Sequence, residues 1–334
     1  MKKFLNLSIL IWSLIAGKAF SAITSDMKIS LLDNTTISIA TGSGYGSYSP
    51  VGNNICRLIN HNRKSLGLRC RTTSSTGSLQ NLEMLQNGEV DFALVQADWA
   101  KYGFYGQSPS QKIKANNQLR FIMSLHNEDL MLLVRRDSNI KSLDQIKGSI
   151  ISSGTVSSRS SISTIMDKLV NSKGWKYSDF KSIISVKFEE QVNALCNKSI
   201  DVLTVVSGSP NTIISDTARS CEVSMLSLDE TTTTAIVQKY NEFFLDSIAA
   251  GIYPGINEDV KTIATKAVLV TNASTSDNIV YGITRAIMEN LENFKKVYPG
   301  LANLDVASMV NIGRTIDMHP GAALYYTEKG YKQN

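Results

Sequence analysis

From residue 35 onward the chain alternates short apolar runs, small polar turns and amphipathic stretches in the order strand, turn, helix. Ile37 and Ile39 flank Ser38 at the two-residue period of a strand. After a turn carrying Gly42, Gly44 and Gly46, Ile55, Leu58 and Ile59 take the spacing of one helix face, which predicts a helix over 51–63. Residues 66–73 read as a returning strand, and the hydroxyl-rich stretch 74–78 leads into a second helix over 79–87. Residues 91–98 predict a short buried strand and 130–135 an apolar one, with 137–148 as the crossing into a second lobe. There the pattern repeats: strand 149–152, a small-residue turn over 154–161, then Ile162, Ile165, Met166 and Leu169 on one helix face. Residues 186–188 predict a strand, 189–196 a helix, and 201–206 a strand entering Ser207-Gly208-Ser209-Pro210. Gly251 and Gly255 mark a turn, 262–270 the returning strand, 278–294 an amphipathic helix, and 321–330 a last helix. Alternation of this kind predicts α/β layers.

Length divides the picture in two. The first 22 residues have the form of a secretory signal: Lys2 and Lys3, an apolar run over 4–16, then the small residues Ala19, Ser21 and Ala22. An uncleaved N-terminal anchor is the alternative. The roughly 310 residues that remain exceed one ordinary core and favour two lobes, expected as 35–130 with 264–334 and as 131–263. The chain's net charge is +5, and removing Lys2, Lys3 and Lys18 leaves +2 (5 − 3), so a general affinity for nucleic acid is not indicated. Four cysteines in an exported chain suit two local disulfides, Cys56 with Cys70 and Cys196 with Cys221. Zinc is a weaker alternative, because no Cys-x-x-Cys occurs and His61, His126 and His319 are scattered.

The turns carry the candidate chemistry. A strand, a glycine-rich turn and a helix bring backbone N–H groups and a helix N-terminus to one point, which suits an anion. A dinucleotide fingerprint fails: the third glycine is replaced by Ser47, and no Asp or Glu lies between Asp33 and Glu83 to hold a ribose. Arg57, Arg63, Lys64, Arg69 and Arg71 fall in that acid-free interval, as part of the anion site or as a solvated face. Gln96, at the end of its strand, reads as a ligand contact or a loop-orienting amide. Arg159 reads as a two-point carboxylate contact or a solvated surface residue. A hydrolase is disfavoured, since no Gly-x-Ser-x-Gly occurs and no histidine stands in a recognisable relation to a serine and an acid.

The segments Gly46-Ser-Tyr48-Ser-Pro50-Val-Gly52, Ser75-Thr-Gly-Ser78 with Asn81-Leu82, Val95-Gln-Ala-Asp98-Trp99, Ala194-Leu-Cys196 with Ile200-Asp201, Tyr253-Pro-Gly255, and His319-Pro-Gly-Ala322 with Tyr325-Tyr326 stand in order over almost 300 residues. In these the chain resembles the TAXI solute receptors, the extracytoplasmic immunogenic binding proteins associated with TRAP transporters. Its four cysteines also fall where a subgroup of that family has them. The resemblance implies a type II periplasmic binding fold of two α/β lobes with crossing hinge strands and a ligand cleft, a periplasmic location and no cofactor. It further implies a small anionic ligand, a carboxylate or acidic amino acid, delivered to a TRAP-type permease driven by an ion gradient. The ligand contacts expected are Gly44, Tyr48, Ser75, Thr76, Gly77, Ser78, Gln96, Ser158, Arg159, Ser160, Gly208 and Pro210. Two departures fall at this site: Ser157-Ser158-Arg159 stands where the family has Gly-Ser-Gly, and Ser209 where it has a histidine. A surface antigen or adhesin that has kept the fold without transport is the alternative function.

Overall fold

The computed structural model describes residues 35–108, 113–152, 159–186 and 188–333, so the expected signal segment lies outside the described residues. Strand β1 (Thr35–Ala40) leads to helix α1 (Tyr48–His61), strand β2 (Leu68–Thr73), helix α2 (Ser78–Gln86), strand β3 (Phe92–Gln96) and helix α3 (Ala97–Tyr105). Next come the long strand β4 (Leu119–Arg135), β5 (Ile150–Ser152), helix α4 (Arg159–Ser172), β6 (Ser182–Ile184), helix α5 (Phe188–Cys196), β7 (Val202–Ser207) and helix α6 (Thr212–Ser220). Strand β8 (Val223–Met225), helix α7 (Glu230–Lys239), β9 (Phe244–Ile248) and the second long strand β10 (Val260–Asn272) follow, and the chain ends in helices, among them Asp277–Met288 and Pro320–Glu328.

The strands run β2-β1-β3-β10-β4-β7-β5-β6, with β8 against β4 and β9 against β10. Two strands carry the chain through the whole molecule. β4 pairs with β10 over Leu119 to Asp129 and then with β7 over Asp129 to Val134, while β10 leaves β4 at Ala264 and pairs with β9. The apolar side chains sort accordingly. One pair of clusters uses residues 37–125 and 267–326 on the two faces of β1, β3 and their neighbours, and the other uses residues 130–263 on the two faces of β7. Two α/β lobes joined by two crossing strands make this a type II periplasmic binding fold, the fold class that the resemblance implies.

Both disulfides join the expected partners. Cys56–Cys70 ties α1 to the edge strand β2, and Cys196–Cys221 ties the ends of α5 and α6. Arg57, Arg63, Lys64, Arg69 and Arg71 are all exposed, as on a solvated face.

Several elements differ from the sequence reading. The passage between lobes lies inside β4, not over 137–148, where a single turn of 3-10 helix (Leu143–Ile146) sits. The strand expected over 186–188 is β6, four residues earlier: Val186 is buried against α5 and Phe188 already belongs to that helix, while Lys187 lies outside the described residues. Residues 278–294 form two helices, broken between Met288 and Leu291. The pattern at 91–98 covers a strand end and a helix start, since β3 closes at Gln96 and α3 begins at Ala97.

Candidate ligand-binding cleft

β1, β2 and β3 are parallel neighbours, so the turns after β1 and β2 leave from one edge of the sheet. That edge faces the second lobe across the crossing strands. The cleft between them is lined by Gly42, Ser43, Gly46, Ser47 and Tyr48 of the first turn, Thr76 and Gly77 of the second, Glu128 of β4, Gln191 of α5, and Thr204, Val205, Val206 and Ser207 of β7. It encloses about 600 Å³ counted out to open solvent. A second recess, at the outer mouth, is lined by Gly44, Tyr45, Pro210, Asn211 and Tyr298 among others.

Glu128 is the hub of this site. It is 3% exposed, and its Oε1 accepts from Ser47 Oγ at 2.8 Å and from the Gly208 backbone N–H at 3.1 Å, and lies 2.7 Å from His126 Nε2. Oε2 accepts from Gln96 Nε2 at 3.1 Å. A carboxylate taken out of water must be met by donors, and here the donors come from both lobes: Ser47 and Gln96 from one, Gly208 from the other. The rings of Tyr48 and Tyr298 stand edge-on to His126, at 6.0 and 5.6 Å between centroids.

At Gly208 the second lobe packs directly against the first. A Cβ there would lie 2.6 Å from His126 Cδ2 and 2.7 Å from Tyr298 Oη, so the approach requires a residue without a side chain. Tyr298 Oη also donates across the seam to Pro210 O at 3.1 Å. Chemically, Ser47, His126 and Glu128 do not make a nucleophilic triad. That mechanism needs the imidazole between serine and acid, whereas here both Ser47 Oγ and His126 Nε2 approach the same carboxylate oxygen.

The residues expected at the site are distributed as follows. Tyr48 lines the cleft, with its phenol pushed up by burial first and by the Glu128 charge second; its Oη lies 3.5 Å from Ser78 Oγ. Thr76 and Gly77 line it too, but their N–H groups are already engaged, by Gln80 Oε1 at 2.9 Å and Ser75 Oγ at 3.0 Å. Ser75 Oγ lies within hydrogen-bond distance of both Thr41 O and Asn81 Oδ1, and Ser78 Oγ accepts from Gln96 N–H at 3.1 Å. Gln96 spends its amide on Glu128, so both of its bonds hold the site together. Gly208 bridges the lobes, while Gly44 and Pro210 line the outer mouth. Ser158 lies outside the described residues. Arg159 and Ser160 open α4, and their side chains are likewise outside the described set.

A second seam crosses the lobes beside α3. Asp98 Oδ2 accepts from Thr164 Oγ1 of α4 at 2.7 Å and Oδ1 from the Trp99 N–H at 2.9 Å. Lys101 Nζ pairs with the buried Glu242 at 2.9 Å, and Lys168 Nζ lies over the Tyr240 ring at 4.3 Å and the Tyr102 ring at 5.6 Å. Burial pushes the Asp98 carboxyl up to about 7, aided by the nearby Glu242 and opposed by the Thr164 and Trp99 hydrogen bonds and by Lys168.

Sequence reasoning missed Glu128, His126, Gln191, Thr204 and Tyr298. One signal was present for the first two. The polar run His126-Asn127-Glu128-Asp129 interrupts two apolar halves, 119–125 and 130–134, of what is one strand. Such an interruption marks the point where a strand leaves one core and enters the next.

A model of the NMT1-like family matches residues 39–330. Among solved structures, a protein of Bordetella bronchiseptica RB50 superposes with a TM-score of 0.52 at 15% identity, over 90% of this chain and 99% of its own. A Xanthomonas citri protein bound to chloride ion gives 0.50 at 13% identity, over 88% and 99%. The periplasmic aliphatic sulphonate binding protein of Escherichia coli gives 0.48 at 13% identity, over 87% and 78%.

Proposed function

The chain belongs to the NMT1-like family, and from that premise we propose that it is an extracytoplasmic solute-binding receptor. It captures a small carboxylate or acidic amino acid and presents it to a TRAP-type permease driven by an ion gradient. The observation that carries this reading is the Glu128 network. Donors from both lobes converge on one buried group at the crossing strands, so opening and closing the cleft makes and breaks them together, as in hinge closure around a ligand. Among the described residues no helix is long and apolar enough to cross a membrane. The first turn of α1 holds no acid and Ser47 gives it no side-chain cap, so the N-terminal N–H groups of α1 are open to a ligand carboxylate, beside the Glu128 carboxylate that Ser47 Oγ already meets. Arg159, at the first residue of α4, supplies the countercharge in this reading.

The test is a thermal-shift panel of mono- and dicarboxylates and acidic amino acids against neutral sugars and nucleotides, run beside native mass spectrometry of the co-purified ligand. A true ligand at 100 times its Kd adds about 2.7 kcal/mol of stability. A shift with a sugar or nucleotide and none with any acid would overturn the reading. Arg159→Lys is expected to weaken binding roughly tenfold, nearly as much as Arg159→Ala, because an ammonium cannot reproduce the planar fork. Unchanged affinity in both variants removes Arg159 from the site.

A further inference from the structure

Among the described residues of the cleft wall, two side-chain oxygens have no hydrogen-bond partner. Gln191 is 1% exposed and Thr204 is 0% exposed, both line the cleft, and neither Gln191 Oε1 nor Thr204 Oγ1 has a hydrogen-bond partner. Thr204 stands on β7, and Gln191 stands on α5, which covers the other face of that strand. Thr204 alternates with Val202 and Val206, which join the cluster that includes α4, while α5, which carries Gln191, packs its Val192 and Leu195 into the opposite cluster. The Gln191 amide is oriented: Nε2 donates to Val186 O at 3.3 Å, which leaves Oε1 as the unmet atom.

Buried polar atoms in folded proteins are almost always satisfied, so an unmet pair on the wall of a cleft points to a ligand that satisfies it. The chemistry of the pair narrows that ligand. Gln191 Oε1 can only accept, and Glu128, on the same cleft, is also an acceptor when ionised, whereas Thr204 can donate. Among the described lining residues none is Lys or Arg. An ionised dicarboxylate brings acceptors alone and would meet Gln191 acceptor to acceptor. A solute with an N–H group beside its acid group satisfies both.

We infer that Gln191 and Thr204 are the specificity-determining residues of the second lobe, and that Gln191 reads an N–H group on the solute. The bound solute is then an amino acid or an acid amide, not a plain dicarboxylate. The inference rests on the receptor reading above and refines it.

Calorimetric titration of matched pairs tests it: aspartate against succinate, and glutamate against glutarate, with glutamine as the amide. In wild type the nitrogen-bearing member of a pair is expected to bind at least about tenfold tighter, the size of one hydrogen bond to a charged group. Gln191→Met keeps the length of the side chain and removes the acceptor, and it is expected to bring that ratio to within about twofold. Thr204→Val is expected to weaken both members of a pair alike. Thermal melts without ligand show whether each variant is folded, and Gln191→Leu stands in should the methionine variant fail. Equal or tighter binding of the dicarboxylates by wild type, or a ratio preserved in Gln191→Met, overturns the inference and leaves the receptor reading intact. Failure of every acid in the panel, with a sugar or nucleotide binding instead, overturns both.

Discussion

Raising the pH from 5 to 7 is expected to weaken this protein through Asp98. The carboxyl is 1% exposed between α3 and α4, and burial lifts it from an ordinary 3.8 to about 7. Between those two values the unfolded chain has lost the proton and the folded chain keeps it. The folded state therefore binds more protons, and its stability falls as pH rises, flattening above about 7. For a shift of this size the loss from pH 5 to 7 is about 2 kcal/mol, or on the order of 4 °C in Tm for a chain of this length. Other groups also change pKa on folding. Burial lowers the His319 pKa, which makes stability rise with pH, while Asp129 is raised by burial and the neighbouring Asp246 and acts in the same direction as Asp98. The informative quantity is therefore the difference between wild type and Asp98→Asn, in which those groups cancel. Asparagine keeps an acceptor for the Trp99 N–H and can donate to Thr164, but it does not titrate. In melts of both proteins at half-unit steps from pH 5 to 8, wild type is expected to lose about 2 kcal/mol relative to the variant as the pH rises. Because Asp98 and Thr164 belong to different lobes, ligand affinity is expected to fall with pH in the same sense. Parallel curves for the two proteins would refute the argument.

Gly208→Ala is expected to reduce ligand affinity by roughly tenfold or more, since the added methyl meets His126 and Tyr298 where the lobes meet. The same overlap is present without ligand, so the ligand-free Tm is expected to fall as well; titration with unchanged affinity would contradict the proposed seam. Peptide mapping without reduction is expected to recover Cys56 linked to Cys70 and Cys196 linked to Cys221. Replacing either pair by serine is expected to lower stability by about 2–4 kcal/mol, and detection of four reactive thiols in unfolded, unreduced protein would refute the pairing.

Local order was legible in the sequence because it depends on neighbours. Ile37 and Ile39, then Ile55, Leu58 and Ile59, announce strand and helix through their spacing, and the cysteine pairs lie 14 and 25 residues apart, close enough to be matched by position alone. Length already favoured two lobes, and the resemblance added the crossing strands and the cleft between them. What it could not supply was the inside of the cleft. Glu128 reads in sequence as one charge in a polar patch, and it becomes a buried hub only because Ser47, 81 residues before it, and Gly208, 80 residues after it, are folded onto the same oxygen. Gln96 read as a ligand contact or a loop-orienting amide from its place at a strand end, yet Glu128 takes its amide, and no local pattern encodes that partner. Burial decides which polar groups must be paired, and burial is a property of the packed lobes. Sequence spacing therefore determined most of the strand, turn and helix units and pointed to the disulfides, while tertiary packing alone decided that Glu128 would be held from both lobes and that Gln191 Oε1 and Thr204 Oγ1 would be left without partners on the cleft wall.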